Sequence, residues 1–190
     1  EWMVQIIKHW FGFLPREWQA KNAFYLYQSR DIFLTSKTGS GKTLLMLAAI
    51  LARKLMWKRK IALVIYPTWA LMDDQEAKAR SKGIQFLTIH DESLTQASQE
   101  VPPRILWTEA ASGRYDIVAC APERIPTKNF KELLETVTFR NQLGFCVIDE
   151  AHLVIPWGNG FRESYKMLGR LRSLLPSYVT FLAMSGSLHP

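Results

Sequence analysis

The sequence predicts an α/β fold with three layers, in which helices cover both faces of a mostly parallel central sheet. Its short β-branched runs are continuously apolar rather than alternating, which is typical of strands that are buried on both faces. Stretches with helical spacing separate these runs, as in a doubly wound sheet. A chain of 190 residues is long enough for one such domain, and we assign residues 1–190 to it.

The chain divides into alternating strands and helices. The apolar runs predicted to be strands are residues 31–35, 60–66, 84–89, 115–120, 144–148 and 178–184. Helices are predicted at residues 44–57, 69–80, 104–111 and 130–138, and Thr68 is placed to cap the second of them. A further amphipathic helix is predicted from the spacing of Phe161, Tyr165, Leu168, Leu171 and Leu175. Ligands of parallel sheets bind at the carboxyl ends of the strands, so we expect the functional site there.

Composition and charge exclude several classes of protein. Hydrophobic residues make up 48% of the chain, which is too many for a disordered protein. The longest apolar runs are too short to cross a bilayer, so we expect no membrane partner. A net charge of +7 favours an anionic partner such as nucleic acid or a nucleotide. We assign the basic cluster at residues 53–60 to the carboxyl end of a helix, where cations complement the helix dipole.

The two cysteines, Cys120 and Cys146, both lie in apolar runs. Two such thiols form neither a disulfide framework nor a metal site. We expect them to be reduced core residues of an intracellular protein, which would be nuclear if its source is eukaryotic.

A phosphate-binding loop is predicted directly after the first strand, in the segment Ser36-Lys-Thr-Gly-Ser-Gly-Lys-Thr43. Its glycines permit a tight turn in which successive backbone N–H groups face the phosphates of a nucleotide. Lys42 would reach the β- and γ-phosphates of ATP, and the Thr43 hydroxyl would ligate Mg²⁺. The residues assigned to this site are Thr38, Gly39, Ser40, Gly41, Lys42 and Thr43. Ser36 stands where the strict pattern has glycine, yet the strand–loop–helix setting favours a nucleotide site over a turn that binds nothing.

An acidic tetrad, Asp149-Glu-Ala-His152, follows the fifth predicted strand. A carboxylate at the end of this strand lies beside the phosphate loop in a parallel sheet. Asp149 can therefore hold Mg²⁺ opposite Thr43, and Glu150 can polarise the attacking water as a general base. In isolation the tetrad could equally be a solvated turn, but its pairing with the phosphate loop favours a catalytic site. We expect Lys42, Asp149 and Glu150 to be its catalytic residues.

With both motifs placed, the sequence resembles the superfamily-two helicases of the DEAH-box kind, and among them the RecQ family. The resemblance covers almost the whole chain. Trp10-Phe-Gly-Phe13 with Arg16 and Gln19 is similar to the RecQ motif in which Arg and Gln recognise adenine. The segment is one residue shorter before Arg16 than the usual form, and it has Pro15 where an aromatic residue would precede the arginine.

The resemblance also implies residues that contact DNA. Residues 67–75 are similar to motif Ia and residues 121–124 to motif Ib, which implies that Gln75 and Arg124 lie in segments that contact the DNA backbone. Residues 149–162 resemble the DEAH box and the aromatic-rich loop that couples DNA binding to ATP hydrolysis. The coupling residues implied by these segments and by motif III are His152, Trp157, Phe161, Arg162, Ser185 and Ser187.

The coupling segments depart from the family pattern at several positions. Asn159 and Gly160 replace the usual His and Asp, and motif III is Ser-Gly-Ser rather than Ser- or Thr-Ala-Thr. An exposed Trp157 could stack on an unpaired base while Arg162 neutralises a phosphate. Phe161 also fits the apolar face of the helix predicted there, so it has a structural alternative.

The resemblance implies a RecA-like domain of the P-loop NTPase type, with ATP and Mg²⁺ as cofactors and single-stranded or junction DNA as a partner. It implies a 3′-to-5′ DNA helicase whose second RecA-like lobe supplies arginine fingers, worth about 10³–10⁵ in rate in related phosphoryl-transfer enzymes. That lobe is absent from residues 1–190, so we expect this chain alone to bind nucleotide weakly, to hydrolyse it barely and to unwind nothing. Two alternatives remain open: an RNA-dependent DEAD/DEAH-box ATPase, and a degenerate paralogue that binds DNA without turnover.

Overall fold

The computed structural model describes residues 1–154 and 168–186, and it has the α/β architecture that the sequence predicts. Its strands are β1 (Ile32–Thr35), β2 (Ile61–Ile65), β3 (Phe86–Ile89), β4 (Ile117–Cys120), β5 (Leu143–Ile148) and β6 (Thr180–Ser185). They lie in the order β1-β6-β5-β2-β4-β3, and every neighbouring pair is parallel. Each strand coincides with one of the predicted runs, which confirms the mostly parallel sheet.

The helices match the predicted ones in part. They are α1 (Trp2–Phe11), α2 (Glu17–Tyr27), α3 (Thr43–Leu55), α4 (Trp69–Arg80), α5 (Asp91–Gln99), α6 (Leu106–Ala111), α7 (Lys128–Glu135), α8 (Val137–Gln142) and α9 (Leu171–Leu174). The single helix predicted at 130–138 is wrong, because Thr136 adopts an extended conformation and separates α7 from α8. Thr68 lies at the N-cap of α4, but its side chain makes no capping hydrogen bond.

The amphipathic helix predicted between β5 and β6 lies partly outside the described residues, since Phe161 and Tyr165 fall there. The described part is a 3₁₀ turn at Leu168–Arg170 followed by the short helix α9. The remaining members of the predicted apolar face, Leu168, Leu171 and Leu175, are buried.

The sheet lies between two apolar layers, as β2 shows most directly. Ile61, Leu63 and Ile65 pack in the cluster formed with α6 to α9, whereas the intervening Ala62 and Val64 pack with α3 and α4. Burial on both faces explains why the strand is apolar at every position. α3 is buried from Leu44 to Ala52 because it lies between the sheet and the pair α1 and α2. The phosphate loop that precedes α3 is therefore attached to a rigid core element.

Cys120 and Cys146 are fully buried free thiols, as predicted. Burial raises the pKa of Cys120 to about 12, and it raises the pKa of Cys146 as well. Both therefore stay neutral and serve as packing residues. Among the described residues, none of the helices has the length and apolar character needed to cross a membrane.

The basic cluster at the carboxyl end of α3 makes structural contacts, as predicted. The Asp116 carboxylate at the start of β4 is fully buried, and it accepts hydrogen bonds from Lys54 Nζ at 3.0 Å and Arg59 Nε at 2.6 Å. Arg53 donates to the carbonyl oxygen of Tyr27 at 2.8 Å. Lys54 and Arg59 thus contact the amino-terminal end of β4, and Arg53 contacts the carboxyl end of α2, so none of the three is needed at the expected site.

Candidate active site

The phosphate loop lies between the end of β1 and the start of α3. Gly39 and Gly41 have φ values of +78° and +86°, a region that side chains disfavour. Gly41 has a second constraint, because the amide Nε2 of Gln19 lies 2.6 Å from the position of an added Cβ. The Ser36 hydroxyl donates to Ser40 Oγ at 2.8 Å, so the serine in the place of a glycine is used to brace the loop.

Lys42 points into the loop rather than to solvent. It is 8% exposed, and its Nζ donates to the carbonyl oxygens of Ser36 at 2.9 Å and Lys37 at 3.4 Å. Thr43 begins α3, whose amino-terminal N–H groups favour an anion. An ammonium held by weakly basic carbonyls beside this helix end can exchange them for phosphate oxygens at little cost.

The acidic tetrad lies at the carboxyl end of β5, beside the phosphate loop. The Asp149 N–H donates to the carbonyl oxygen of Ile65 at 3.0 Å, which extends the pairing of β5 with β2 by one residue. The Asp149 Oδ1 accepts from the Glu150 N–H at 3.0 Å. Glu150 has a φ of +51°, which is uncommon for a non-glycine residue and is one of the strained conformations that cluster at functional sites.

Two predicted motifs, the acidic tetrad and motif III, meet at the Glu150 side chain. Its Oε2 accepts from the Gly186 N–H at 3.1 Å, and it lies 3.2 Å from His152 Nδ1. The same imidazole nitrogen lies 3.2 Å from Ser185 Oγ. The end of β6 is thus linked to the acidic tetrad through His152, as the resemblance to motif III implies. These contacts fix the direction of the Glu150 carboxylate.

Burial raises the pKa of Asp149, and the neighbouring Glu150 charge raises it further. The Glu150 N–H, the Lys42 ammonium and His152 act in the opposite direction but do not cancel the shift. Such a carboxylate gains from a nearby cation, and Thr43 lies with it in one cleft. Mg²⁺ is commonly held by one or two protein oxygens together with phosphates, so this pair of oxygen donors fits the ion. Clusters of three or more His, Cys, Asp or Glu that could hold a metal ion are absent from the described residues.

We predict that Asp149→Asn stabilises the fold at neutral pH. The folded-state pKa of Asp149 is raised, so ionisation above the ordinary aspartate pKa costs stability, and an amide removes that cost. The expected gain in the free energy of unfolding is about 1 kcal/mol. Urea unfolding at neutral and acidic pH measures it, and the gain should shrink as the pH falls through the raised pKa. A variant less stable than the wild type at neutral pH would contradict the assignment.

A cleft of about 540 Å³ joins the two predicted motifs, and we call it the nucleotide cleft. The predicted residues that line it are Thr38, Gly39, Gly41, Lys42, Thr43, Gln75, Asp149 and Glu150. Phe11, Phe13, Lys78 and Lys82 also line the cleft. Phe11 and Phe13 belong to the segment that resembles the RecQ motif, whereas no sequence pattern indicated a role for Lys78 and Lys82.

Gln19 contacts the phosphate loop, and neither Arg16 nor Gln19 is among the residues that line the nucleotide cleft. Gln19 is 5% exposed, and its Oε1 accepts from the Arg16 N–H at 2.9 Å. Its Nε2 donates to the carbonyl oxygen of Ser40 at 3.1 Å. Gln19 therefore braces the loop from behind, and recognition of adenine by this pair stays a prediction.

A second cleft lies at the carboxyl ends of β2, β3 and β4, and we call it the Trp69 cleft. It has a volume of about 380 Å³ and is lined by Pro67, Thr68, Trp69, His90, Asp91, Ala121, Glu123 and Arg124. Arg124, one of the predicted DNA contacts, lies here, and its Nη2 is 2.8 Å from Asp91 Oδ1. The other predicted contact, Gln75, is 8% exposed and lies in the nucleotide cleft instead.

The remaining predicted coupling residues, Trp157, Phe161, Arg162 and Ser187, lie outside the described residues.

Comparison with known proteins identifies the family of this chain. Residues 16–189 match the family model of the DEAD/DEAH box helicases. This chain belongs to that family. It is 32% identical over 147 residues to the ATP-dependent DNA helicase Q5 of Rattus norvegicus, which covers 77% of this chain and 14% of that protein. It is 26% identical over 174 residues to the ATP-dependent DNA helicase RecQ of Haemophilus influenzae, which covers 91% of this chain and 26% of that protein.

These relatives confirm the predicted resemblance to RecQ helicases over most of this DEAD/DEAH box domain, at modest identity. The chain spans only about a seventh of the first relative and about a quarter of the second. The crystal structure of the DUF1998 helicase MrfA bound to DNA has a TM-score of 0.71 with this chain at 19% identity. The match covers 99% of this chain and 26% of that one, and it confirms the RecA-like fold.

Proposed function

We propose that this chain is the ATP-binding lobe of an ATP-dependent DNA helicase, the part that supplies the phosphate loop and the DEAH box. The observation that carries the proposal is that Lys42, Asp149 and Glu150 line one cleft at the carboxyl ends of the strands. Relatives named ATP-dependent DNA helicases support ATP as the nucleotide and DNA rather than RNA as the polymer. Translocation with 3′-to-5′ polarity follows from the RecQ resemblance and belongs to the same proposal.

In this proposal each residue at the nucleotide cleft has a separate task. Lys42 exchanges its loop carbonyls for the β- and γ-phosphates of ATP. Thr43 and Asp149 hold Mg²⁺, which neutralises charge on the phosphates when it is bound. Glu150 orients a water molecule and accepts its proton, since its carboxylate is fixed by the Gly186 N–H and His152.

The predicted adenine contact involves a side chain that already holds the phosphate loop. Both atoms of the Gln19 amide are engaged, one by the Arg16 N–H and the other by the Ser40 carbonyl. An amide has two N–H groups and two acceptor lone pairs, so one N–H and one lone pair of Gln19 remain for contact with adenine. Because Gln19 also holds the Ser40 carbonyl, such a contact would link recognition of the base to the phosphate loop.

Coupling to DNA belongs to the same proposal. The link from Ser185 through His152 to Glu150 lets a movement at the end of β6 reach the general base. Trp157, Phe161, Arg162 and Ser187 are proposed to transmit contact with DNA to this link. A second RecA-like lobe is the proposed partner across the nucleotide cleft, where it would supply arginine fingers.

Nucleotide binding tests the proposal directly. Lys42→Ala is expected to weaken binding of a fluorescent ATP analogue by about 10- to 100-fold, the loss typical of hydrogen bonds to a charged group. Lys58→Ala is the matched control, because Lys58 is exposed beyond the far end of α3. Fluorescence titration of both variants in the presence of Mg²⁺ measures the effect. Equal affinities for the wild type and Lys42→Ala would overturn the assignment of the cleft.

A further inference from the structure

Trp69 exposes a large aromatic surface inside a cleft. As the first residue of α4 it is 56% exposed, although burial of an indole is strongly favourable. The Trp69 cleft lies at the carboxyl ends of parallel strands, where ligands of such sheets bind. Trp57 is also exposed, at 96%, but it follows the carboxyl end of α3 and lines neither of the two clefts described.

The Trp69 indole contacts the His90 imidazole. Its ring centroid lies 5.9 Å from that of His90, with an angle of 57° between the ring planes. His90 is only 7% exposed, and its Nδ1 accepts from the Ser93 N–H at the start of α5. Its Nε2 lies 3.5 Å from Asp73 Oδ1, one turn along α4 from Trp69. A fixed imidazole thus supports the indole, so little side-chain entropy is lost when a flat ligand stacks on it.

The charges at the mouth of the Trp69 cleft favour a ligand with a neutral flat surface over a bare anion. Arg124 is paired with Asp91 at 2.8 Å, and Asp91 is 86% exposed. Asp91 gains little from this pair, so Arg124, whose side chain is 22% exposed, can exchange it for a phosphate. The carboxylates of Asp91 and Glu123 outnumber this single cation in the lining of the cleft. The main attraction in this cleft is therefore the indole surface, with one cation available beside it.

Helix α4 connects this cleft with the proposed machinery. Trp69 lies at its amino-terminal end, while Gln75 and Lys78 of the same helix line the nucleotide cleft. A ligand on Trp69 is thus in contact with a rigid element that also borders the nucleotide.

From these observations we infer that Trp69 is a stacking platform for an unpaired base of single-stranded DNA, with Arg124 contacting the adjacent phosphate. The inference rests on the proposed function and adds a base contact to segments for which the family resemblance implies backbone contacts alone. Stacking on an aromatic ring tolerates any base, because every base has a π-face, so the contact carries no sequence preference.

The test measures binding of a fluorescein-labelled oligothymidine, and of the same strand with abasic positions, by anisotropy. Trp69→Ala is expected to weaken binding of the intact strand by about 5- to 150-fold, the range for loss of one base–aromatic stack. Trp69→Phe should retain most of the affinity, and the control Trp57→Ala should retain all of it. The abasic strand should bind the wild type more weakly than the intact strand, yet bind Trp69→Ala as well as the intact strand does.

Two results separate the inference from the proposed function. If the wild type binds the intact strand and Trp69→Ala binds it equally well, the stacking platform is overturned and the proposed function stands. If Trp69→Ala weakens intact and abasic strands by the same factor, the indole acts without a base and the inference is likewise overturned. A wild-type chain that binds neither strand would overturn both.

Discussion

Asp116→Ala is expected to lower the free energy of unfolding by about 3–5 kcal/mol, the loss typical when one partner of a buried ion pair is removed. The Asp116 carboxylate is fully buried and accepts from Lys54, Arg59 and the Gln85 N–H. Its removal leaves these donors without their acceptor. Lys54 and Arg59 are each more than a third exposed and can turn to water, so the low end of the range is expected.

The contribution of Asp116 depends on pH. Burial raises its pKa, but hydrogen bonds from Arg59, the Gln85 N–H and Lys54 outweigh burial, and the net pKa is below the ordinary value. A carboxylate with a lowered folded-state pKa stabilises the fold above its unfolded pKa. The contribution is lost as the pH falls through the lowered value. The difference in stability between the wild type and Asp116→Ala should therefore shrink only under acidic conditions.

Urea unfolding followed by circular dichroism measures both effects. Asp74→Ala is the matched control, because Asp74 pairs with Lys78 on the surface of α4 and is about half exposed. Loss of that pair should change the free energy of unfolding by about 0.5 kcal/mol or less. An Asp116→Ala variant no less stable than Asp74→Ala would show that the buried pair contributes nothing net.

The strands were predictable because burial on both faces makes each of them an uninterrupted apolar run. β2 and β5 are buried at every position, and both were found from composition alone. Helices α1, α2 and α5 lie outside the predicted helices. α5 in particular has only Ala97 buried, so its sequence shows almost no apolar face. The break at Thr136 depends on how α7 and α8 pack, which no local pattern records.

Long-range contacts limit what the sequence could predict of the site and its support. Lys42, Asp149 and Glu150 were assigned because each motif follows a strand, and a parallel sheet brings those strand ends together. The partner of the Gln19 amide, the Ser40 carbonyl, is 21 residues away and was not predictable. The contact of Arg59 with Asp116 spans 57 residues and joins two charges that are ordinary in sequence.

Glu150→Gln is expected to lower ATP turnover by about 10²- to 10⁴-fold, the usual contribution of a general base, with little change in nucleotide affinity. Glutamine has the size of glutamate, and its carbonyl oxygen can still accept from the Gly186 N–H. It cannot accept a proton from water. Turnover is measured in a protein that contains this chain and a second RecA-like lobe, with single-stranded DNA and with RNA as activators. Stronger activation of the wild type by RNA would favour the RNA-dependent alternative.

The matched control is Glu135→Gln, which changes an exposed glutamate at the end of α7. Unchanged turnover in Glu150→Gln would favour the degenerate paralogue, in which the DEAH box no longer supports hydrolysis.

Glu150→Gln and Lys42→Ala test different steps. Lys42 holds the phosphates and Glu150 acts on water, so the first variant should lose binding and the second should lose only turnover. A site that merely binds nucleotide would respond to Lys42→Ala and not to Glu150→Gln, and this difference separates a motor from a binding module.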